Sequence, residues 1–315
     1  MAGFDAIREG YLFMSPIKKF LPYIALAVGI LSLGFSALFV RWANVPGPVM
    51  GVYRLGIATL IMAPAYAWRR KGRAPLSRSA LLFALSGGLL TALDHAFWNT
   101  AVLYTTAANA TLFGNTAPLW VALAAWLIFR ERLKLKFWTG LGLTLTGAAV
   151  VLGSDFLLHP DLGLGDLIAL AAAIFYGGYL LVTQRGREHL DTLSYVWLVS
   201  ASAALVLGAV SVTAGMPLSG FSAQTYLAFL GAALVSQVLG YLAVAYALGH
   251  LPASLVAPTL IGQPVVTALL SIPFLGELMR PAQWIGGVGV LAGIYLVHQS
   301  RQKDDFTPQE EMAHG

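Results

Sequence analysis

The chain alternates between long apolar runs and short polar connectors, as in LLFALSGGLLTALDHAFWNTAVLY at 81–104. About 20 consecutive apolar residues are needed for a helix to cross the hydrocarbon core of a bilayer. The pattern predicts ten such spans, at 20–40, 48–68, 80–103, 107–129, 137–153, 165–184, 192–213, 224–248, 252–275 and 282–298. The connectors are too short to hold a soluble domain. Composition agrees: 58% of the 315 residues are hydrophobic and 10% charged, with a mean hydropathy of +0.74, whereas a soluble domain carries roughly 25% charged residues. The reading is an all-α integral membrane protein with tails at 1–19 and 299–315.

The net charge of +5 is explained by where the basic residues fall. Lysine and arginine concentrate in cytoplasmic connectors. With the N-terminus inside, the inside segments hold Arg8, Lys18 and Lys19, then Arg69, Arg70, Lys71, Arg73 and Arg78, then Arg130, Arg132, Lys134 and Lys136, then Arg185 and Arg187, and finally Arg301 and Lys303. Only Arg41 and Arg280 fall in outside connectors, and Arg54 lies within a span. The bias therefore predicts ten spans with both termini cytoplasmic, and the 155–161 connector outside. It gives no support to nucleic-acid binding. The N-terminal stretch lacks a short apolar core followed by a small-residue cleavage site, so it reads as a cytosolic tail and not a signal peptide. Cysteine is absent, which excludes disulfides, thiolate chemistry and cysteine metal sites.

Shifting the sequence against itself by 146 positions aligns FRERLKLKFWTGLGLTLTGAAV with LGELMRPAQWIGGVGVLAGIYL without a gap. Glu131 meets Glu277, Trp138 meets Trp284, Gly140 meets Gly286 and Gly147 meets Gly293, and upstream Pro118 meets Pro264. Matches of Glu, Trp and Pro in one frame point to two homologous five-helix halves, 20–153 and 165–298. Five is odd, so the second half enters the membrane in the opposite sense. Inverted repeats of this kind are an architecture of secondary transporters, which work by rocking one bundle against another.

The patterns FVRWANVPGPVMGVYRLGIATL, HAFWNTAVLYTTAANATLFGNTAPLWVALAAWLIFRERL, GDLIALAAAIFYGGYLLVTQR and LPASLVAPTLIGQPVVTALLSIPFLGE resemble the EamA-type branch of the drug/metabolite transporter superfamily. The resemblance runs from about residue 20 to 298. It implies ten helices in a five-plus-five inverted repeat, with a central cavity between helices 1–4 and 6–9 and with helices 5 and 10 peripheral. It also implies transport of amino acids, drugs or other metabolites, most often as export.

Asp94, in the quoted run, carries the sharpest chemical question. A charge at the membrane centre costs roughly 2.5–3.5 kcal/mol on insertion scales, so it persists only when paired or hydrated. At 1.5 Å per residue, Asp94 and Arg54 lie about 14 Å and about 9 Å from the same boundary. Their comparable depth allows two readings: a structural ion pair, or an anion receptor at Arg54 beside a proton-coupling group at Asp94 or His95. Asp94 shares a helix face with Trp98, and His95 shares the neighbouring face with Asn99. Helix 4 adds Asn109, Thr111, Asn115 and Thr116 ahead of Pro118. The second half adds Tyr176, Tyr179, Gln237 and, before Pro264, Gln263. A proline inside a span frees a backbone carbonyl, so Pro118 and Pro264 are expected helix breaks.

The expected substrate site is therefore Asp94, His95, Trp98 and Asn115 from the first half with Tyr176, Tyr179, Gln237 and Gln263 from the second, converging on one mid-depth cavity. Tyr241 adds a further aromatic surface for an apolar ligand body. Glu131 and Glu277 sit at loop boundaries and read as structural. The spacing of Gly289 and Gly293 permits close helix packing, which the sequence alone leaves open as internal or between protomers of a homo-oligomer. No nucleophile elbow, nucleotide loop or metal cluster is present in the sequence, so no enzyme activity and no cofactor are expected. The expected protein is a secondary transporter of amino-acid-like or drug-like metabolites in a bacterial-type plasma membrane. Its expected partners are the solute, membrane lipid and protons, and a metabolite or ion channel is the alternative.

Overall fold

The computed structural model describes residues 16–105, 112–152, 163–275 and 279–302. Asn109, Thr111, Glu277 and the 155–161 connector lie outside those residues, as do the side chains of Arg41 and Asn99. The described residues are helical and contain no strand.

The helices are α1 (Pro16–Gly34), α2 (Ser36–Ala43), α3 (Gly47–Arg70), α4 (Arg78–Tyr104), α5 (Ala117–Leu127), α6 (Leu135–Leu152), α7 (Leu164–Gly186) and α8 (Thr192–Thr213). After α9 (Ala223–Gly231) comes a π-helical stretch, Ala232–Tyr241, which continues into α10 (Leu242–Leu248). The described residues end with α11 (Ala253–Leu260), α12 (Gly262–Leu275) and α13 (Pro281–Gln302). Among the described residues, 8 helical segments are long and apolar enough to cross a membrane. The remaining predicted spans correspond to a shorter apolar helix, Leu112–Leu127, and to α13.

Several predicted spans are interrupted. The first turns at Phe35 between α1 and α2, the fourth at residues 115–116, and the ninth at Ile261. Pro118 and Pro264 therefore lie in the first turns of α5 and α12, where a missing N–H costs nothing because those donors have no intrahelical partner. The breaks at 115 and 261 are 146 positions apart. Asn44 ends α2 in the left-handed conformation with φ 48°, which asparagine tolerates better than most residues. Asp191 caps α8 by accepting from the Ser194 N–H at 3.2 Å.

The connectors sort to two ends. At one end Arg69 meets Asp191 at 3.3 Å, Arg187 donates to the Ala245 and Leu190 carbonyls, and Gln184 accepts from the Ala253 N–H at 2.6 Å. At this end Ser254 also donates to Glu131 at 2.9 Å, and Lys136 meets Gln299. At the other end Thr225 donates to the Ala43 carbonyl, Tyr53 to that of Leu218, Thr105 to Asp166 and Gln283 to the Val151 carbonyl. The basic connectors 69–78, 130–136 and 185–187 thus share one end.

Helices α6 and α13 run antiparallel in close contact. A Cβ on Gly140 would stand 2.9 Å from the Gly293 carbonyl oxygen, and one on Gly147 would stand 2.6 Å from that of Gly286. Only glycine admits backbones this close. The sequence repeat equates Gly140 with Gly286 and Gly147 with Gly293, so the contact Gly140–Gly293 becomes Gly286–Gly147 when the halves are exchanged. The glycine spacing in α13 serves packing within the chain. The outer face of α13, with Ile285, Val288 and Leu291, is exposed.

Candidate functional site

Arg54 enters from α3 and is only 6% exposed. Its Nε donates to Gln237 Oε1 at 3.2 Å and its Nη1 to Ser36 Oγ at 2.8 Å. Its guanidinium carbon stands 5.4 Å from the centre of the Tyr241 ring, within cation–π range. Gln237 is fully buried on the π-helical stretch, and its Nε2 donates to Ser200 Oγ of α8 at 3.1 Å. An amide held this way has its carbonyl free for arginine, which is donor-only. Short π segments inside helices are frequent at functional sites.

From Tyr241 the polar core continues through aromatic rings. Tyr179 lies 5.7 Å from Tyr241 between ring centres, and Tyr176 stacks on Tyr179 at 6.1 Å with 12° between planes. Gln263 lies close enough to Tyr176 to interact with its hydroxyl. Beyond Tyr179, the Thr183 hydroxyl lies 3.1 Å from that of Tyr195.

Asp94 on α4 interacts electrostatically with Arg54, Tyr176 and Tyr241. The expected direct ion pair is not formed: among the described residues no carboxylate lies within the 4.0 Å of an ion-pair contact to Arg54. Gln237 and Ser36 take two of the guanidinium donors instead. Asp94 Oδ2 instead stands 3.5 Å from His95 Nδ1, which also bonds the Thr91 carbonyl at 2.9 Å. Asp94 and His95 keep 19% and 12% of their side-chain surface exposed. Adjacent helical positions diverge by about 100°, and His95 accordingly lies toward Gly51 of α3.

Trp98 covers Gly114, its indole 3.1 Å from where a Cβ would stand, beside the half-buried Asn115 at the α5 break. The structure thus gathers Gln237, Tyr176, Tyr179 and Gln263 near Arg54 and Asp94, and sets Trp98 against the segment that carries Asn115. Tyr179 and Gln237 are sealed, at 1% and 0% exposure. A cavity of about 600 Å³ opens elsewhere, between the α2–α3 turn and the α8–α9 connector, walled by Trp42, Asn44, Pro46, Pro217 and Phe221 among others. None of the eight expected site residues lines it.

Ser36 and Ser200 were missed by sequence reasoning, since lone serines in apolar helices carry little signal. One clue was available for Ser200: it stands 146 positions after Arg54.

An EamA-like transporter family model matches residues 20–153 and 163–299. The chain belongs to this family. It is 25% identical over 271 residues to a "Probable terminal-alkyne amino-acid exporter" of Streptantibioticus cattleyicolor, covering 82% of this chain and 87% of that one. It is 27% identical over 259 residues to an "Uncharacterized transporter" of Archaeoglobus fulgidus, covering 78% and 86%. It is 23% identical over 219 residues to the "Uncharacterized transporter YwfM" of Bacillus subtilis, covering 68% and 72%. A crystal structure of 20% identity has the same fold, with a TM-score of 0.74 over 88% of this transporter and 97% of that chain. The protein is an integral membrane transporter.

Proposed function

We propose that the protein is a secondary transporter that exports small, amino-acid-like or drug-like organic metabolites by alternating access, with Asp94 and His95 coupling transport to protons. One observation carries this reading: the buried cation of the first half, Arg54, is held by Gln237 and approached by Tyr241, both from the second half. A charged core on the interface between halves is where a site reachable from both sides has to be. Export is supported by the relative named as an exporter. Proton coupling is supported by the partly exposed Asp94–His95 contact.

The same proposal takes the fold as ten spans in two inverted halves, 20–153 and 165–298. The exchange-symmetric glycine contacts of α6 and α13 support it. The gathering of basic connectors at one end supports a bacterial-type plasma membrane location with that end and both termini in the cytoplasm.

Counterflow in proteoliposomes tests the function. A panel of amino acids and hydrophobic amines is preloaded, and uptake of the labelled solute is followed. Saturable, trans-stimulated uptake of at least one solute is expected. Flux that rises linearly with concentration and ignores the trans solute would indicate a channel and end this reading.

A further inference from the structure

Arg54 is a buried cation within a membrane span, and its direct contacts among the described residues are all neutral: an amide, a hydroxyl and an aromatic ring. Gln237 has the length of a glutamate and occupies the position from which a glutamate would neutralise the guanidinium. Its amide cannot turn to offer a donor, because Ser200 accepts from the Nε2 side and Arg54 requires the oxygen side. Two of the five guanidinium N–H groups are satisfied in this way, by Gln237 and Ser36. Among the described residues the carboxylate that acts on Arg54 is Asp94, which does so through space and lies beside His95. A buried charge without a contact counter-ion is costly. Its retention needs a compensating group, and a ligand that brings an anion supplies one.

We propose that Gln237 is the charge-selectivity residue of the site: by holding Arg54 with a neutral amide it keeps the guanidinium charge available for the carboxylate of the solute. The selected class is a compact organic acid or zwitterion with an apolar or aromatic body, which packs on Tyr176 and Tyr241. Gln237 is a positioning residue, acting through Arg54. The inference rests on reading these residues as the substrate site.

Binding is tested by quenching of tryptophan fluorescence in the purified full-length protein. The probes are 3-phenylpropionate and 3-phenylpropanamide, which differ in replacing a carboxylate by a neutral amide. Wild type is expected to bind the acid about ten- to a hundredfold more tightly, the range of a charge-assisted hydrogen bond in a dry site. The isosteric Gln237→Glu neutralises Arg54 and should abolish the preference for the acid over the amide. Asp94→Asn removes the remote anion and should widen the preference, so the proposal stays testable if Gln237→Glu fails to fold. Wild type that binds both probes equally or neither, Gln237→Glu that keeps the preference, or Asp94→Asn that loses it would each overturn the proposal. Acid preference without counterflow would instead defeat the transport reading and leave the charge selectivity standing.

Discussion

Gly147→Ala puts the helix contact to a quantitative test. The added Cβ would stand 2.6 Å from the Gly286 carbonyl oxygen and 2.6 Å from the Val290 nitrogen. Both are backbone atoms, so no rotamer change relieves the clash. Non-bonded carbon contacts relax at roughly 3.5–4.0 Å, so α6 and α13 have to part by about 1 Å, which forfeits a quarter to half of the dispersion between facing atoms. Overpacking of this kind costs about 1–3 kcal/mol. Gly142 lies on the same helix with nothing within 4 Å of its Cβ position. There Gly142→Ala relieves the glycine penalty of up to about 1 kcal/mol in a helix. Thermal unfolding in detergent, read as loss of the monodisperse species, should rank Gly142→Ala at or above wild type and Gly147→Ala clearly below. Gly147→Ala and Gly286→Ala touch one contact, so their effects should combine to less than their sum. Equal unfolding temperatures for Gly147→Ala and wild type would refute the packing argument. Dissociation of an oligomer without loss of stability would move the glycines to an interface between protomers.

Three further outcomes are expected. Arg54→Met strands the buried Gln237 oxygen and should cost about 1–3 kcal/mol; adding Gln237→Met should recover part of the loss, and a double variant no more stable than the single would show that the pair is not the source. At Asp191 burial pushes the pKa up, but hydrogen bonds from Ser194 and the charges of Arg69 and Arg187 outweigh it and hold the carboxyl below its usual range. A depressed folded value stabilises above the ordinary carboxylate pKa and is lost as pH falls through the folded one. Asp191→Asn keeps the helix cap, so its deficit of about 0.5–1 kcal/mol at neutral pH should shrink below roughly pH 4; a pH-independent deficit would remove the charge from the account. Single cysteines at Lys71 and Asn44, in this cysteine-free chain, should label from opposite faces of intact cells, with position 71 inaccessible from outside; outward labelling at 71 would reverse the assigned orientation.

The apolar helices, the basic connectors and the identities at a constant offset were legible because each depends on local composition. A bilayer demands long apolar runs, charge collects in the connectors that stay in water, and duplication leaves identities at a constant offset. From that offset the matched glycines of α6 and α13 could be named before any contact was seen. That they cross as Gly140–Gly293 and Gly147–Gly286, within the chain, required the antiparallel packing. Depth along each helix likewise followed from the rise per residue, which put Arg54 and Asp94 close enough to suggest an ion pair. Depth says nothing of rotation about the helix axis. A turn of about 100° per residue decides which neighbour a side chain meets, and that phase is set by the packing of all the helices together. Only the tertiary structure gave Arg54 to Gln237 and Ser36, turned Asp94 toward His95, and wound residues 232–241 into the π-helix that carries Gln237, because a π stretch has no pattern of its own in an apolar sequence and is decided by the neighbours it has to reach.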